Sequence, residues 1–303
     1  MLRLLQLAFM HTVLVAELLM ATYLPTSQAQ VEQTGRWQNL YYSQYEVNQL
    51  AESHYHDWLK EAAELGVLNQ DRQGLQHLRA LTHHLILTAA NWKPAILDWD
   101  WELHTAQQSH LDALCMAGGK LLINPDFIQR LNLTTAETSV LLAHEIAHAL
   151  AEHHREELSE ARELNQAPGE DVDLIWERLR SDLSWQIKLN TLNFIQEQEA
   201  DHLGIQLALE SGISAHAVIS FYRKLAAAEP QHKAVQASFR DYHPAGPSRV
   251  SMALGMGRLW QSQHFSIAKL NRQNSQILAQ QLGVDKQIDG MLSLNSASAK
   301  SKP

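Results

Sequence analysis

The segment His144-Glu145-Ile146-Ala147-His148 constrains this 303-residue chain more than any other. Helical periodicity runs through it, with Val140, Leu141, Leu142, Ile146 and Leu150 apolar. Thr134 followed three residues later by Glu137 forms a capping box that starts the helix. Residues four apart lie on one helical face, so the two imidazoles converge and can meet one ion at about 2.0 to 2.1 Å. Glu145 then points near the ion's open position, where it can take a proton from a water whose pKa zinc lowers to about 7. Seventeen histidines make chance pairs common. The apolar flanks Leu141, Leu142, Ala143, Ala149 and Leu150 argue against a solvent-facing pair.

A catalytic zinc takes three protein ligands and keeps one exchangeable position. Two residues compete for the third place. His154 lies where a metzincin sets its last histidine, but that arrangement needs a glycine where Ala151 stands. If the helix continues, His154 is about 9 Å further along the axis and points away. Glu197, in Phe194-Ile195-Gln196-Glu197-Gln198-Glu199-Ala200-Asp201, can be presented by a second helix packed antiparallel. Asp201, one turn later, can then hold a ligand histidine's free N–H. A bare Glu-x-x-x-Asp is common on solvated helix faces, and spacing alone leaves both candidates open.

The rest of the chain predicts an α+β fold. Helices are expected over about 41–65 and 75–90, then a strand over 96–104, where Trp99, Trp101 and Leu103 alternate with Asp98, Asp100 and Glu102. Strands over 111–116 and 121–123 flank the turn Gly118-Gly119. The capped helix is expected to run to about Leu164, with a break at Pro168-Gly169 that could form a lid or a plain turn. Helical patterns follow over 172–211 with unplaced breaks, 215–228, and 248–261 after a loop from Glu229-Pro230 to Pro247. The strand before the metal helix reads equally as a buried strand or as a sheet edge. In the second case Leu121, Leu122 and Ile123 would pair with an extended peptide through main-chain hydrogen bonds. His54, His56, His83, His84, His153 and His154 read as exposed helix residues.

The formal net charge of −9 argues against nucleic acid as a partner, because phosphate binding needs a basic face. One cysteine, Cys115, excludes a disulfide framework and a Cys-rich zinc module. Arg3, the mostly apolar run Leu4 to Leu24, Pro25 and the small residues near Ala29 pattern as an export signal over 1–29, cleaved after Ala29. His11 and Glu17 interrupt that run, so an uncleaved anchor or an amphipathic helix is the rival reading. The expected organisation is a catalytic domain over 30–262, with a helical part over 30–92 and a core over 93–262. A C-terminal helix and a polar tail follow over 263–303.

Four ordered segments carry a family resemblance. The pentapeptide followed by Glu197-Gln198-Glu199-Ala200-Asp201 resembles the Ste/HtpX/BepA/LoiP-type metallopeptidases, gluzincins related to the CAAX prenyl endopeptidases. Asp112-Ala113-Leu114-Cys115-Met116-Ala117-Gly118-Gly119 is similar to their segment before the zinc helix, with Asp112 for Asn and Ala117 for Pro. His243-Pro244 with Arg249 resembles their late His-Pro…Arg element. The likeness covers about 112–249 and departs from the membrane-spanning and repeat-bearing relatives elsewhere. It implies a mostly helical zincin-like domain with a small, mainly antiparallel sheet. It implies one Zn2+ held by His144, His148 and Glu197, with Asp201 behind them and Glu145 as catalytic base. His243 would sit on a loop near the metal, and Arg249 would support the site or the transition-state oxyanion. The expected function is hydrolysis of peptide bonds in unfolded or misassembled exported proteins, in the periplasm, with peripheral membrane association compatible. The alternatives are an exported chaperone-like protein with a structural zinc, and a metzincin using His154.

Overall fold

Most helix starts among the described residues carry their own side-chain cap. In the computed structural model, which describes residues 27–107, 112–165, 171–228 and 248–263, Ser43 and Glu46 form a capping box for α1 (Gln44–Glu64). Asp71 caps α2 (Arg72–Ala89), and Asn124 with Pro125 at the first helical position starts the short α3 (Pro125–Arg130). Thr134 and Glu137 box the start of α4 (Thr135–Leu150), as their spacing predicts. After α5 (His153–Asn165), Asp171 caps α6 (Val172–Ser181), and Asp182 both closes α6 and caps the long α7 (Leu183–Glu210). That places the break expected somewhere in 172–211. Gly212, at φ 90°, ends α7 before α8 (Ala215–Ala228), and residues 248–263 are again helical. The chain divides into two compact units, residues 1–254 and 255–303, and the site lies in the first.

Among the described residues five short strands make two sheets. β1 (Ser27–Gln30) and β2 (Trp37–Leu40) form an antiparallel hairpin. β3 (Glu102–Thr105), β4 (Ala113–Met116) and β5 (Lys120–Ile123) form a mixed sheet ordered β3-β5-β4, with β3 parallel and β4 antiparallel to β5. The expected turn at Gly118-Gly119 joins β4 to β5 with φ of 75° and 82°, a region that favours glycine. A Cβ on Gly119 would also come within 2.5 Å of the Trp101 ring. The class is therefore the expected one, mostly helical α+β.

Four expectations change. The strand expected over 96–104 is a 3-10 turn at Pro94–Asp98 followed by β3, with Trp99 stacked on Trp101 at 5.5 Å instead of covering a sheet face. The region 30–92 is not wholly helical, because the hairpin precedes α1. Its inward residue Gln38 is polar and breaks the apolar alternation that would have revealed a strand. β5 is not an edge. It lies between two strands with Leu121, Leu122 and Ile123 buried, so its main chain is already paired and these residues cannot serve as a peptide-binding rim. The free edge of this sheet beside the metal helix belongs to β4 among the described residues.

The fourth change matters most for the site. The metal helix ends at Leu150 and does not run on to Leu164. Ala151 closes it and Glu152 adopts φ 56°, after which α5 starts in a new direction. Glu152 is held there by Lys93 at 3.0 Å and Arg155 at 2.8 Å, and Arg155 also donates to the Tyr42 carbonyl at 2.6 Å.

Candidate metal centre

α4 and α7 pack along their length, and one glycine sets how closely. A Cβ on Gly204 would lie 2.8 Å from the His144 Cα and 2.9 Å from its nitrogen, distances real Cβ atoms do not show. This close crossing turns Glu197 and Asp201, one helical turn apart, toward the histidines of α4.

His144 and His148 Nε2 atoms lie 3.1 Å apart. Glu197 places Oε2 3.5 Å from His144 Nε2 and Oε1 3.3 Å from His148 Nε2. Four ligands about 2.0 to 2.1 Å from a tetrahedral ion stand roughly 3.3 to 3.4 Å from one another, so each of these separations, with a different Glu197 oxygen facing each histidine, is of the size such an ion needs. Two nitrogens and a carboxylate oxygen are also the donor set zinc accepts. Among the described residues these three side chains are the group able to hold a metal, their ligand atoms all within 4.8 Å. Of the two candidates that spacing left open, Glu197 is the one whose carboxylate lies beside both histidines. His154 instead packs its ring on Trp176, centroids 4.6 Å apart, and the metzincin arrangement is absent.

The ligands are held from behind. His144 Nδ1 lies 3.1 Å from Asp201 Oδ1, the placement expected of Asp201. Asp201 is fully buried, and it accepts from Tyr222 Oη at 2.8 Å and from Arg249 Nε and Nη2 at 2.6 and 2.5 Å. Burial opposes its charge, but Arg249 and His144 outweigh that and hold its carboxyl below the usual range. Arg249, 4% exposed, also sets Nη1 3.4 Å from Glu197 Oε2. Its guanidinium thus contacts both carboxylates, Asp201 and Glu197. Burial also opposes a proton on His144, yet Asp201 and Glu197 raise its pKa. For His148 burial wins and pushes the pKa down to about 3, so its ring is neutral with a lone pair to offer.

Glu145 is buried beside the ligands, near enough to Cys115 on β4 to raise that thiol further above the value burial already gives it. His243 and the Pro168-Gly169 turn lie outside the described residues. A cleft beside His148 is walled by Val47, Trp99, Ala117 and Glu152.

Three residues with no expected role stand next to the ligands. His153, expected on an exposed face, is 3% exposed and sets Nδ1 2.9 Å from His148 Nδ1 and Nε2 3.1 Å from Glu199 Oε2. Glu199 accepts in turn from Thr34 and from Arg36 Nε and Nη2 at 2.8 and 2.6 Å. Burial opposes the Glu199 charge, but His153, Arg36 and Thr34 prevail and bring its carboxyl to about 2. Glu199 could have been suspected from its place between Glu197 and Asp201. His153, five residues after His148, fits no helical repeat, and Arg36 carries no motif at all.

A metal-binding helix with two histidines and a glutamate between them, crossed by a second helix that supplies a carboxylate ligand, defines the gluzincin class of metallopeptidase site. Within that class the chain belongs to peptidase family M48, whose profile matches residues 75–256. It is similar to the mitochondrial metalloendopeptidase OMA1 of Bos taurus, 26% identical over 213 residues, 66% of this chain and 40% of that protein. It is also similar to the mitochondrial metalloendopeptidase OMA1 of Schizosaccharomyces pombe, 28% identical over 163 residues, 50% of this chain and 45% of that protein. The Homo sapiens enzyme of the same name is 24% identical over 230 residues, covering 72% of this chain and 43% of that protein. The chain spans less than half the length of these relatives.

Proposed function

We propose that this chain is a zinc-dependent endopeptidase that cleaves unfolded or misassembled exported proteins. The observation that carries the reading is the convergence of His144, His148 and Glu197: the two Nε2 atoms lie 3.1 Å apart, and each has a Glu197 carboxylate oxygen 3.3 to 3.5 Å away. Family membership and the similarity to metalloendopeptidases support the reaction type. The pattern over 1–29 supports export and the periplasm, and no described helix is long and apolar enough to cross a membrane.

A zinc ion held there supplies a Lewis acid that polarises a carbonyl and lowers the pKa of water to about 7. Glu145 takes the proton of the attacking water as oxygen bonds to the peptide carbon, and returns it to the amine nitrogen as the C–N bond breaks. Asp201 fixes the His144 ring with its proton on Nδ1, leaving Nε2 free to bind. An extended substrate pairs with the free edge of β4, whose Leu114 is part-exposed.

Metal content by elemental mass spectrometry tests the reading, on the parent chain and Glu197→Ala side by side. About one zinc per parent chain and clear loss in the variant is expected. One zinc in both rejects Glu197 as ligand. Zinc without peptidase activity on denatured polypeptide favours a chaperone-like protein with a structural metal.

A further inference from the structure

We propose that His153, Glu199 and Arg36 are positioning residues that set the tautomer and orientation of the ligand His148, which makes the segment carrying Thr34 and Arg36 part of the metal centre. This rests on the reading of His144, His148 and Glu197 as ligands.

The case begins with proton counting. His148 and His153 face each other through Nδ1 atoms 2.9 Å apart, a contact that holds one proton between two ring nitrogens. If His153 donates that proton, a neutral His148 carries its own on Nε2 and cannot bind a metal there. If His148 donates, its Nε2 keeps the lone pair that points at Glu197 and His144. Glu199 decides between them. A carboxylate only accepts, so the His153 Nε2 atom 3.1 Å away bears a proton, and a His153 ring that carries a single proton then offers its lone pair on Nδ1. The carboxylate thereby writes the tautomer of both rings.

Glu199 is in turn fixed from the far side. Arg36 bonds it through Nε and Nη2, and Thr34 donates to its other oxygen. Both come from the turn joining β1 to β2. Arg36 also grips Glu156 with Nη1 and, at 2.8 Å, with Nη2. Glu156 accepts from Gln196 at 2.9 Å and from Gln38 of β2 at 3.2 Å. The two ligand histidines thus have parallel supports: Asp201 backed by Arg249 for His144, and His153 with Glu199 backed by Arg36 for His148. Only the break at Glu152 makes the second support available. On an unbroken helix His148 and His153 would lie about 140° apart around the axis and could not face each other.

A merely structural buried histidine makes a different forecast. Its loss would destabilise the metal-free fold and leave zinc affinity of the folded protein alone. The test is zinc affinity of the full chain, by competition with a chromophoric chelator, alongside melting of the metal-free protein. His153→Leu removes donor and acceptor and is expected to weaken zinc binding on the order of 10- to 100-fold. His153→Gln keeps an acceptor and a donor and should recover most of that loss. Arg36→Leu, which touches no ligand, should weaken binding several-fold, and adding it to His153→Leu should cost nothing further. Zinc affinity within twofold of the parent in folded His153→Leu overturns the proposal. If that variant does not fold, unchanged affinity in Arg36→Leu overturns it instead. A parent chain that binds no zinc overturns the metal-centre reading itself and this proposal with it, an outcome separate from a parent that binds and variants that bind equally.

Discussion

At the scale of single residues, the centre separates groups that bind, groups that move a proton and groups that hold others still. In the proposed mechanism Glu145 carries the proton; it is buried beside His144 and is not one of the three residues grouped to hold a metal. Glu145→Gln should therefore retain zinc while peptidase activity falls by at least about 100-fold. Full activity against a denatured polypeptide would remove Glu145 from that role. Asp201 acts through His144 and is bonded by Arg249 and Tyr222. Asp201→Asn should lower zinc affinity on the order of 10- to 100-fold, read by chelator competition, because the amide no longer demands a proton on His144 Nδ1. An unperturbed affinity would mean the His144 tautomer is set by something else.

Among elements, the crossing of α4 and α7 is what assembles the ligand set. Gly204 allows it, and a methyl group there would press on the His144 backbone. Gly204→Ala should destabilise the chain by about 1 to 3 kcal/mol in urea denaturation and weaken zinc binding, since α7 must move away with Glu197. A normal zinc affinity would show that the crossing can relax without disturbing the ligands. The start of α4 carries a second test. Burial opposes the charge of Glu137, but Lys224, Ser220 and the Thr134 cap bring its carboxyl down to about 2 from an ordinary 4.5. A group with its folded-state value depressed stabilises the fold fully above the ordinary value and loses that contribution as pH falls toward about 2. Glu137→Gln should therefore be less stable than the parent at pH 6, with the gap narrowing as pH falls from about 4.5 toward 2. A gap that stayed constant across that range would contradict the ionised role.

For the whole molecule, metal and fold are linked. A site built from α4 and α7 exists only in the folded chain, so zinc at 100 times its dissociation constant should add about 2.7 kcal/mol of stability. A chelator should lower the melting temperature of the parent and leave Glu197→Ala unmoved. Equal shifts in both would place the stabilising metal elsewhere. The hairpin, far from the ligands in sequence, joins the same unit through Arg36 and Gln38.

Much of this was determined by sequence alone, wherever the signal is local. The capping box at Thr134, the His-x-x-x-His face and the glycine turn at 118–119 each depend on residues within one or two turns of chain. The choice of Glu197 over His154 was open to spacing and was favoured by resemblance. Only the packing of α7 on α4 brings Glu197, and not His154, beside the two histidines. Other features had no local signal. Ala151 and Glu152 are good helix formers, yet the helix stops there because Lys93, Arg155 and the Tyr42 carbonyl hold a left-handed residue in place. β5 became the central strand because β3, fifteen residues upstream of it, returned parallel beside it. His153 and Arg36 entered the centre for the same reason. Periodicity reports which face of an element is apolar, whereas the partner that satisfies a buried charge comes from wherever the tertiary fold brings one.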